Sequence, residues 1–218
     1  MSNAVTSRII KNMRSYRGKF RYSNAWVRPS LKTLIRRGSG DCSDFTYAFF
    51  GAEGYKLGAM ANDQARNGTE VASWRGRRGG GVAAFNKIYK QVKEADIICL
   101  DLVGNGRYTH VETIVADRSG NSIGHGSGWG PKEQNLGVSW LLPSAYAFTI
   151  RRIVPENAKS PGKHSSAYKG PSIVLYLKSV NKESSFAARR KLAKSHGIKN
   201  YTGTAEQNTQ LLKAMRGF

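Results

Sequence analysis

The sequence predicts an α+β fold in which N-terminal helices pack on an antiparallel sheet, followed by a small C-terminal module of three helices. Helix-like apolar spacing is concentrated in residues 1–92, whereas strand-like segments are concentrated in residues 96–154. Residues 155–171 contain three prolines and no apolar periodicity, which is typical of a linker. We therefore expect one domain at residues 1–154, a linker at 155–171 and a helical module at 172–218.

The sequence pattern predicts three helices in residues 1–92. Apolar residues at helical spacing predict an amphipathic helix over residues 4–15, and residues 16–40 are expected to be irregular because glycine and proline interrupt them. Polar residues followed by an apolar run to Phe50 predict a helix that begins near Cys42. Residues 82–92 are expected to form another short helix.

Four later segments are predicted to be the strands of the sheet. They are residues 96–103, which form an apolar run, residues 109–115, which alternate between apolar and polar, and residues 121–126 and 146–154. In the C-terminal module the expected helices cover residues 173–181, 185–197 and 204–216. Because about 47 residues bury little apolar surface, we expect this module to have modest stability.

The net positive charge of the chain comes from its two ends. Among 218 residues, 35 Lys and Arg outnumber 14 Asp and Glu, which gives a formal net charge of +21. The net charge is +10 over residues 1–40, zero over 41–150 and +11 over 151–218. Such an excess calls for a polyanionic partner such as nucleic acid, an anionic membrane or an anionic cell wall. We expect no transmembrane segment and no signal peptide, because no sufficiently long apolar run occurs.

Candidate catalytic residues lie in the neutral central region. At the start of a predicted helix, unpaired N–H groups and the helix dipole would stabilise a Cys42 thiolate. A thiolate nucleophile needs a base and a group that orients the base. His110 begins one predicted strand and His125 follows the next, so we expect Cys42, His110 and His125 to form a triad of nucleophile, base and orienting residue. Cys99 is expected to be a buried, inert packing residue.

Other interpretations of these residues stay open. Cys42, His110 and His125 are a possible zinc ligand set, although no short ligand spacing supports it, and either histidine could be structural. Residues 75–81 resemble an RGG-type nucleic-acid segment but occur once, which favours a solvated loop. Residues 104–106 are expected to form a turn between strands rather than a phosphate-binding loop.

The order of Asp41-Cys42-Ser43-Asp44, His110-Val111 and a second histidine in Gly124-His125-Gly126 resembles the NlpC-type cysteine peptidases, which are papain-like cell-wall hydrolases. The form is similar to the catalytic domain of phage endolysins and covers roughly residues 4–154. The resemblance implies Cys42 as nucleophile, His110 as base and His125 as the third polar residue. It also implies Tyr22 and the backbone N–H of Ser43 as substrate or oxyanion support. Asp44 and Glu112 depart from the family pattern: Gly or Ser is usual at the first position, and Gly is common at the second.

The resemblance implies a phage endolysin that cleaves peptide bonds of bacterial peptidoglycan through an acyl-enzyme. An N-acetylmuramoyl-L-alanine amidase, a virion-associated lysin and a basic nucleic-acid-binding protein are the alternatives. No cofactor is expected, and the expected partners are peptidoglycan and anionic wall polymers, with no specific nucleic acid and a monomer favoured. The enzyme would be made in the host cytoplasm and act on the wall after release. Residues 184–209 resemble a module at the C-termini of phage lysins, here expected to bind the cell wall.

Overall fold

A computed structural model describes residues 3–24, 28–126, 128, 130–158, 170–180 and 182–216. By contacts, the chain divides into two compact units between residues 159 and 160, within the segment expected to be a linker. The part of that linker at residues 159–169 lies outside the described residues, whereas Ala158 packs against the core of the first unit.

The helices at the start of the first unit pack on one face of the main sheet. Helix α1 (Ala4–Ser15) is capped by the Asn3 side chain, which accepts a hydrogen bond from the Val5 amide, and its apolar face is buried. Helix α3 (Cys42–Ala52) is capped by Asp41, and its buried face includes three phenylalanines. Both helices therefore follow the expected bounds closely. The remaining helices of this unit are α2 (Leu31–Arg37), α4 (Ala61–Gln64), α5 (Gly81–Ile88), which continues as a 3-10 turn (Tyr89–Gln91), and α6 (Leu141–Ser144).

The main sheet has six antiparallel strands in the order β3-β8-β4-β5-β6-β7. Their bounds are β3 (Thr69–Arg75), β4 (Ile97–Asp101), β5 (His110–Ile114), β6 (Asn121–Gly124), β7 (Lys132–Asn135) and β8 (Ala147–Arg152). Two-residue strands β1 (Arg21–Tyr22) and β2 (Ser39–Gly40) form a separate parallel pair.

Two apolar cores cover opposite faces of the sheet. Strand β4 is fully buried and divides its side chains between them: Ile97 and Cys99 join the core of α1 and α3, while Ile98 and Leu100 join the core of α5 and α6. This alternation is what a strand covered on both faces requires. The predicted α+β class with helices on an antiparallel sheet is confirmed.

Several elements differ from the sequence-based expectation. Residues 16–40 were expected to be irregular, but they contain α2 and the β1–β2 pair. Helix α2 forms because Ser30 caps its first turn and Gly38 ends it at φ +62°, a left-handed conformation that glycine adopts without strain. The edge strands β3 and β7 were also missed.

The second unit contains three helices around a core of its own. They are α7 (Ile173–Ser179), α8 (Phe186–Ser195) and α9 (Ala205–Arg216). Ser185 caps α8, and at α9 the Thr204 hydroxyl accepts from the Gln207 amide at 3.2 Å. The core residues are Ile173, Tyr176, Leu177, Ala193, Ile198, Tyr201, Leu211 and Leu212. The three expected helices are therefore present, within two residues at each end.

Candidate active site

Cys42 is the first residue of α3, and the capping residue Asp41 fixes that turn. Oδ1 of Asp41 accepts a hydrogen bond from the Asp44 amide at 2.7 Å and another from the Ser43 hydroxyl at 2.7 Å. The Cys42 side chain is 4% exposed and faces a cleft. A thiol at this position lies next to the positive end of the helix dipole, which favours the thiolate.

His110 is the first residue of β5 and forms a side-chain hydrogen bond with Cys42. Its Nε2 lies 2.8 Å from Oε1 of Glu112, which leaves Nδ1 for the thiol. Burial lowers the pKa of His110, but the charge and hydrogen bond of Cys42, together with those of Glu112, outweigh it and raise the pKa to about 10. The arrangement therefore favours the imidazolium form of His110.

Glu112 holds the second ring nitrogen of His110, a position for which the sequence predicted His125. The two residues are separated by one position on β5, so both side chains lie on the same face of the strand. His125 follows β6 and is buried, with ring contacts to Tyr22 at 5.3 Å and to Phe45 at 6.3 Å between centroids. The structure thus brings Cys42 and His110 together and places His125 against the rings of Tyr22 and Phe45.

Tyr22 lies in β1, where it pairs with Gly40 just before the nucleophile helix. Burial, followed by the charges of Cys42, Asp41 and Asp44, raises the pKa of Tyr22 to about 12. Its hydroxyl therefore keeps its proton at neutral pH and can donate a hydrogen bond into the cleft. Ser43 also lines the cleft, as the resemblance implies for both residues.

The cleft at Cys42 has a volume of about 530 Å³, and most of the residues that line it have polar or charged side chains. Arg28 reaches it while its Nη1 donates to the buried Asp44 carboxylate at 2.9 Å. Burial, and then the charge of Asp41, raise the pKa of Asp44 despite this ion pair. The lining residues are Tyr22, Asn24, Arg28, Asp41, Cys42, Ser43, Met60, Ala61, Asn62, Asn105, Arg107, Tyr108 and Thr109.

The loop between β4 and β5 carries part of this lining. The Asp101 carboxylate accepts hydrogen bonds from the amides of Val103, Gly104 and Gly106 at 3.2, 2.7 and 2.8 Å. Glycines 104 and 106 both have positive φ, so the expected turn at 104–106 is present. It places Asn105 at the rim of the cleft, a contribution that the sequence analysis did not anticipate.

The other sequence candidates form no site among the described residues. Cys99 is fully buried in β4, and burial raises the pKa of its thiol, which is the signature of an inert packing cysteine. Within the described ranges, no group of three or more His, Cys, Asp or Glu side chains could hold a metal ion. His164, together with Ser127 of the glycine-rich segment, lies outside the described residues.

Part of the N-terminal positive charge is neutralised within the first unit. Arg8 pairs with Glu53 at 2.8 Å, Arg14 and Arg17 pair with Glu133 at 2.9 and 3.1 Å, and Arg28 pairs with Asp44. The neutral centre and the basic N-terminal segment are therefore linked by ion pairs rather than separate in space. No helix in the described part of the chain is long and apolar enough to cross a membrane.

Comparison with known proteins gives short sequence matches to phage enzymes. No family model matches the chain. It is 54% identical over 44 residues to the L-alanyl-D-glutamate peptidase of Listeria phage A118, and 42% identical over 60 residues to the endolysin of Listeria phage A511. The matches cover 20% and 28% of this chain, and 16% and 18% of the relatives.

Solved structures match over a larger part of the chain. NlpC1 and NlpC2 of Trichomonas vaginalis each superpose with a TM-score of 0.50, at 17% and 18% sequence identity. An NLP/P60-family protein of Staphylococcus aureus gives the same TM-score at 16% identity. These matches cover 70–71% of this chain and less than half of each matched structure. The chain therefore has the fold of the NlpC/P60 proteins, and its short sequence matches are to a phage peptidase and a phage endolysin.

Proposed function

We propose that this chain is a phage endolysin that hydrolyses peptide bonds of bacterial peptidoglycan, with Cys42 as nucleophile and His110 as general acid and base. The observation that carries the proposal is the hydrogen-bonded pair of Cys42 and His110, in which Cys42 lines the cleft. The NlpC/P60 fold and the short matches to a phage peptidase and a phage endolysin support the choice of substrate.

The proposed reaction has two steps. The Cys42 thiolate attacks the scissile carbonyl, His110 gives its proton to the departing amine, and a thioester links Cys42 to the acyl part. Water, which gives a proton to the now neutral His110, then cleaves the thioester and restores the thiolate and the imidazolium. The Ser43 backbone N–H and the Tyr22 hydroxyl would support the oxyanion in this proposal, because both residues line the cleft at Cys42.

An amidase that cuts between muramic acid and L-alanine would use the same residues, because it also transfers an acyl group. The peptidase is favoured because one of the matched phage enzymes carries that activity in its name. A basic nucleic-acid-binding protein would not require a thiol paired with an imidazole in a cleft. We propose that the C-terminal unit and the net positive charge serve adhesion to anionic wall polymers.

The chain offers a matched pair of cysteines to test the nucleophile. Cys42→Ala should abolish clearing of a suspension of purified cell walls, whereas Cys99→Ala should retain it, because Cys99 is buried in the sheet. Turbidity and binding to sedimented walls would both be measured, since the Cys42→Ala protein should still bind. Undiminished clearing by Cys42→Ala would overturn the proposal.

A further inference from the structure

The carboxylate of Glu112 lies in a site built by three adjacent strands. Its Oε1 lies 2.8 Å from Nε2 of His110, which is on β5. The same oxygen accepts a hydrogen bond from Nε2 of Gln134, which is on β7, at 3.2 Å. Its Oε2 accepts from the Ser122 hydroxyl on β6 at 2.9 Å. The Glu112 side chain is fully buried. Three donors compensate the loss of hydration that a buried carboxylate suffers.

The backbone of β6 makes room for this carboxylate. Gly124 pairs directly with Glu112 in the β5–β6 register. A Cβ atom at position 124 would lie 2.1 Å from Oε1 and 2.3 Å from Cδ of Glu112, closer than real Cβ atoms approach. The carboxylate therefore occupies the space that any side chain at position 124 would need. Glu112 and Gly124 fit one another across the sheet.

We propose that Glu112 is a positioning residue for the Cys42–His110 pair, in the place where the family resemblance puts His125. Its carboxylate fixes the imidazole so that Nδ1 faces the Cys42 sulfur, and its negative charge favours the imidazolium that pairs with a Cys42 thiolate. This inference rests on the proposed function for its catalytic meaning, but the state of the thiol and imidazole is measurable without any substrate.

The electrostatics of the pair agree with this geometry. The pKa of His110 is raised to about 10 against the effect of burial, and both Cys42 and Glu112 raise it. The centroid of the Trp140 indole lies 6.4 Å from that of the His110 imidazole. The indole does not titrate. Ser122 and Gln134, which face Glu112 from β6 and β7, do not titrate either. The ionisable groups around the thiol are Tyr22 on β1, Arg28 before α2, Asp41 and Asp44 at α3, Cys99 on β4, and Arg107 and Tyr108 before β5.

The pH profile of Cys42 alkylation tests the proposal in the full chain. Iodoacetamide reacts with the thiolate, and peptide mapping by mass spectrometry separates Cys42 from the buried Cys99. In wild type the rate at pH 6 is the reference. In Glu112→Gln the loss of the charge that favours the imidazolium should lower the rate at pH 6 by about tenfold or more. Glu112→Asp should recover part of that loss because it keeps the charge.

Glu133→Gln is the matched control. Glu133 lies on β7 and pairs with Arg14 and Arg17, so its replacement should leave the alkylation profile unchanged. Glu112→Gln with an unchanged profile would overturn the proposal, since a purely structural glutamate would alter stability alone. If Glu112→Gln changes the alkylation profile as expected but the wild-type protein cleaves no peptidoglycan, the proposed function is refuted instead.

A second measurement covers the case in which Glu112→Gln fails to fold. Histidine labelled with ¹⁵N in Cys42→Ala reports the protonation of His110 when no thiolate is present. Because the Glu112 carboxylate remains and can only accept at Nε2, the neutral ring should carry its proton on Nε2. A neutral ring protonated on Nδ1 would overturn the proposed role of Glu112.

Discussion

Replacing Gly124 by alanine tests the contact between β6 and the Glu112 carboxylate. The new Cβ would lie 2.1 Å from Oε1, 2.3 Å from Cδ and 2.6 Å from Oε2 of Glu112. The carboxylate must therefore retreat by roughly 1 Å, because buried side chains are close-packed. A His110–Glu112 bond that is now 2.8 Å long would then exceed the limit of about 3.5 Å for a hydrogen bond.

The cost of this substitution has two parts. Overpacking in a core costs about 1–3 kcal/mol, and losing a hydrogen bond to a charged group costs about 1.5–3 kcal/mol. We expect Gly124→Ala to lower the free energy of unfolding by about 2.5–6 kcal/mol. For a unit of this size, that corresponds to a Tm lower by roughly 5–25 °C. Urea unfolding followed by circular dichroism, and Cys42 alkylation at pH 6, would measure the two effects.

A double-mutant cycle isolates the contact. In a Glu112→Gly background the carboxylate is absent, so Gly124→Ala should cost less than about 1 kcal/mol. Gly137→Ala is a control glycine substitution, because a Cβ there would meet its nearest neighbour at an acceptable 3.4 Å. An equal cost of Gly124→Ala in the two backgrounds would refute the reasoning, since the clash would then not involve Glu112.

Two further predictions concern the helix cap and the titration of His110. Asp41→Ala should lower the unfolding free energy by about 1 kcal/mol, because Oδ1 caps α3; Asp41→Asn should restore most of it in the same urea assay, and equal losses would exclude capping as the cause. Because the folded pKa of His110, about 10, exceeds the unfolded value of about 6.5, its protonation stabilises the fold fully below pH 6.5. That stabilisation is lost as the pH rises through about 10, so the stability difference between wild type and His110→Gln should shrink over this window. A difference independent of pH would contradict the raised pKa.

The elements predicted correctly were those whose own residues specify them. The apolar face of α1 recurs at helical spacing, Asp41 marks the start of α3, and β4 is an uninterrupted apolar run. Strand β7 reads Lys-Glu-Gln-Asn and contains no apolar residue, so only its pairing with β6 makes it a strand. Helix α2 buries Leu34 alone among its described residues, which is too little for a periodic signal.

The candidate site was predictable in part. Cys42 at a helix start and His110 at a strand start were visible as local patterns, and the structure brings the two side chains together. The spacing of His110 and Glu112 on one strand was also visible, and period-two alternation puts both on one face. What the sequence could not show is that Ser122, Gly124 and Gln134 create a place for the carboxylate, because these contacts depend on the pairing of β5, β6 and β7.

Digestion of purified peptidoglycan in ¹⁸O-labelled water tests the central proposal most directly. If Cys42 and His110 hydrolyse a peptide bond, mass spectrometry should find ¹⁸O in the new carboxyl group of a stem-peptide amino acid. The other fragment should carry a new free amino group. The Cys42→Ala protein should give neither product. Label on the lactyl carboxyl of muramic acid would show the amidase instead, and label at a sugar reducing end, or no label with the wild-type protein, would contradict the proposed chemistry.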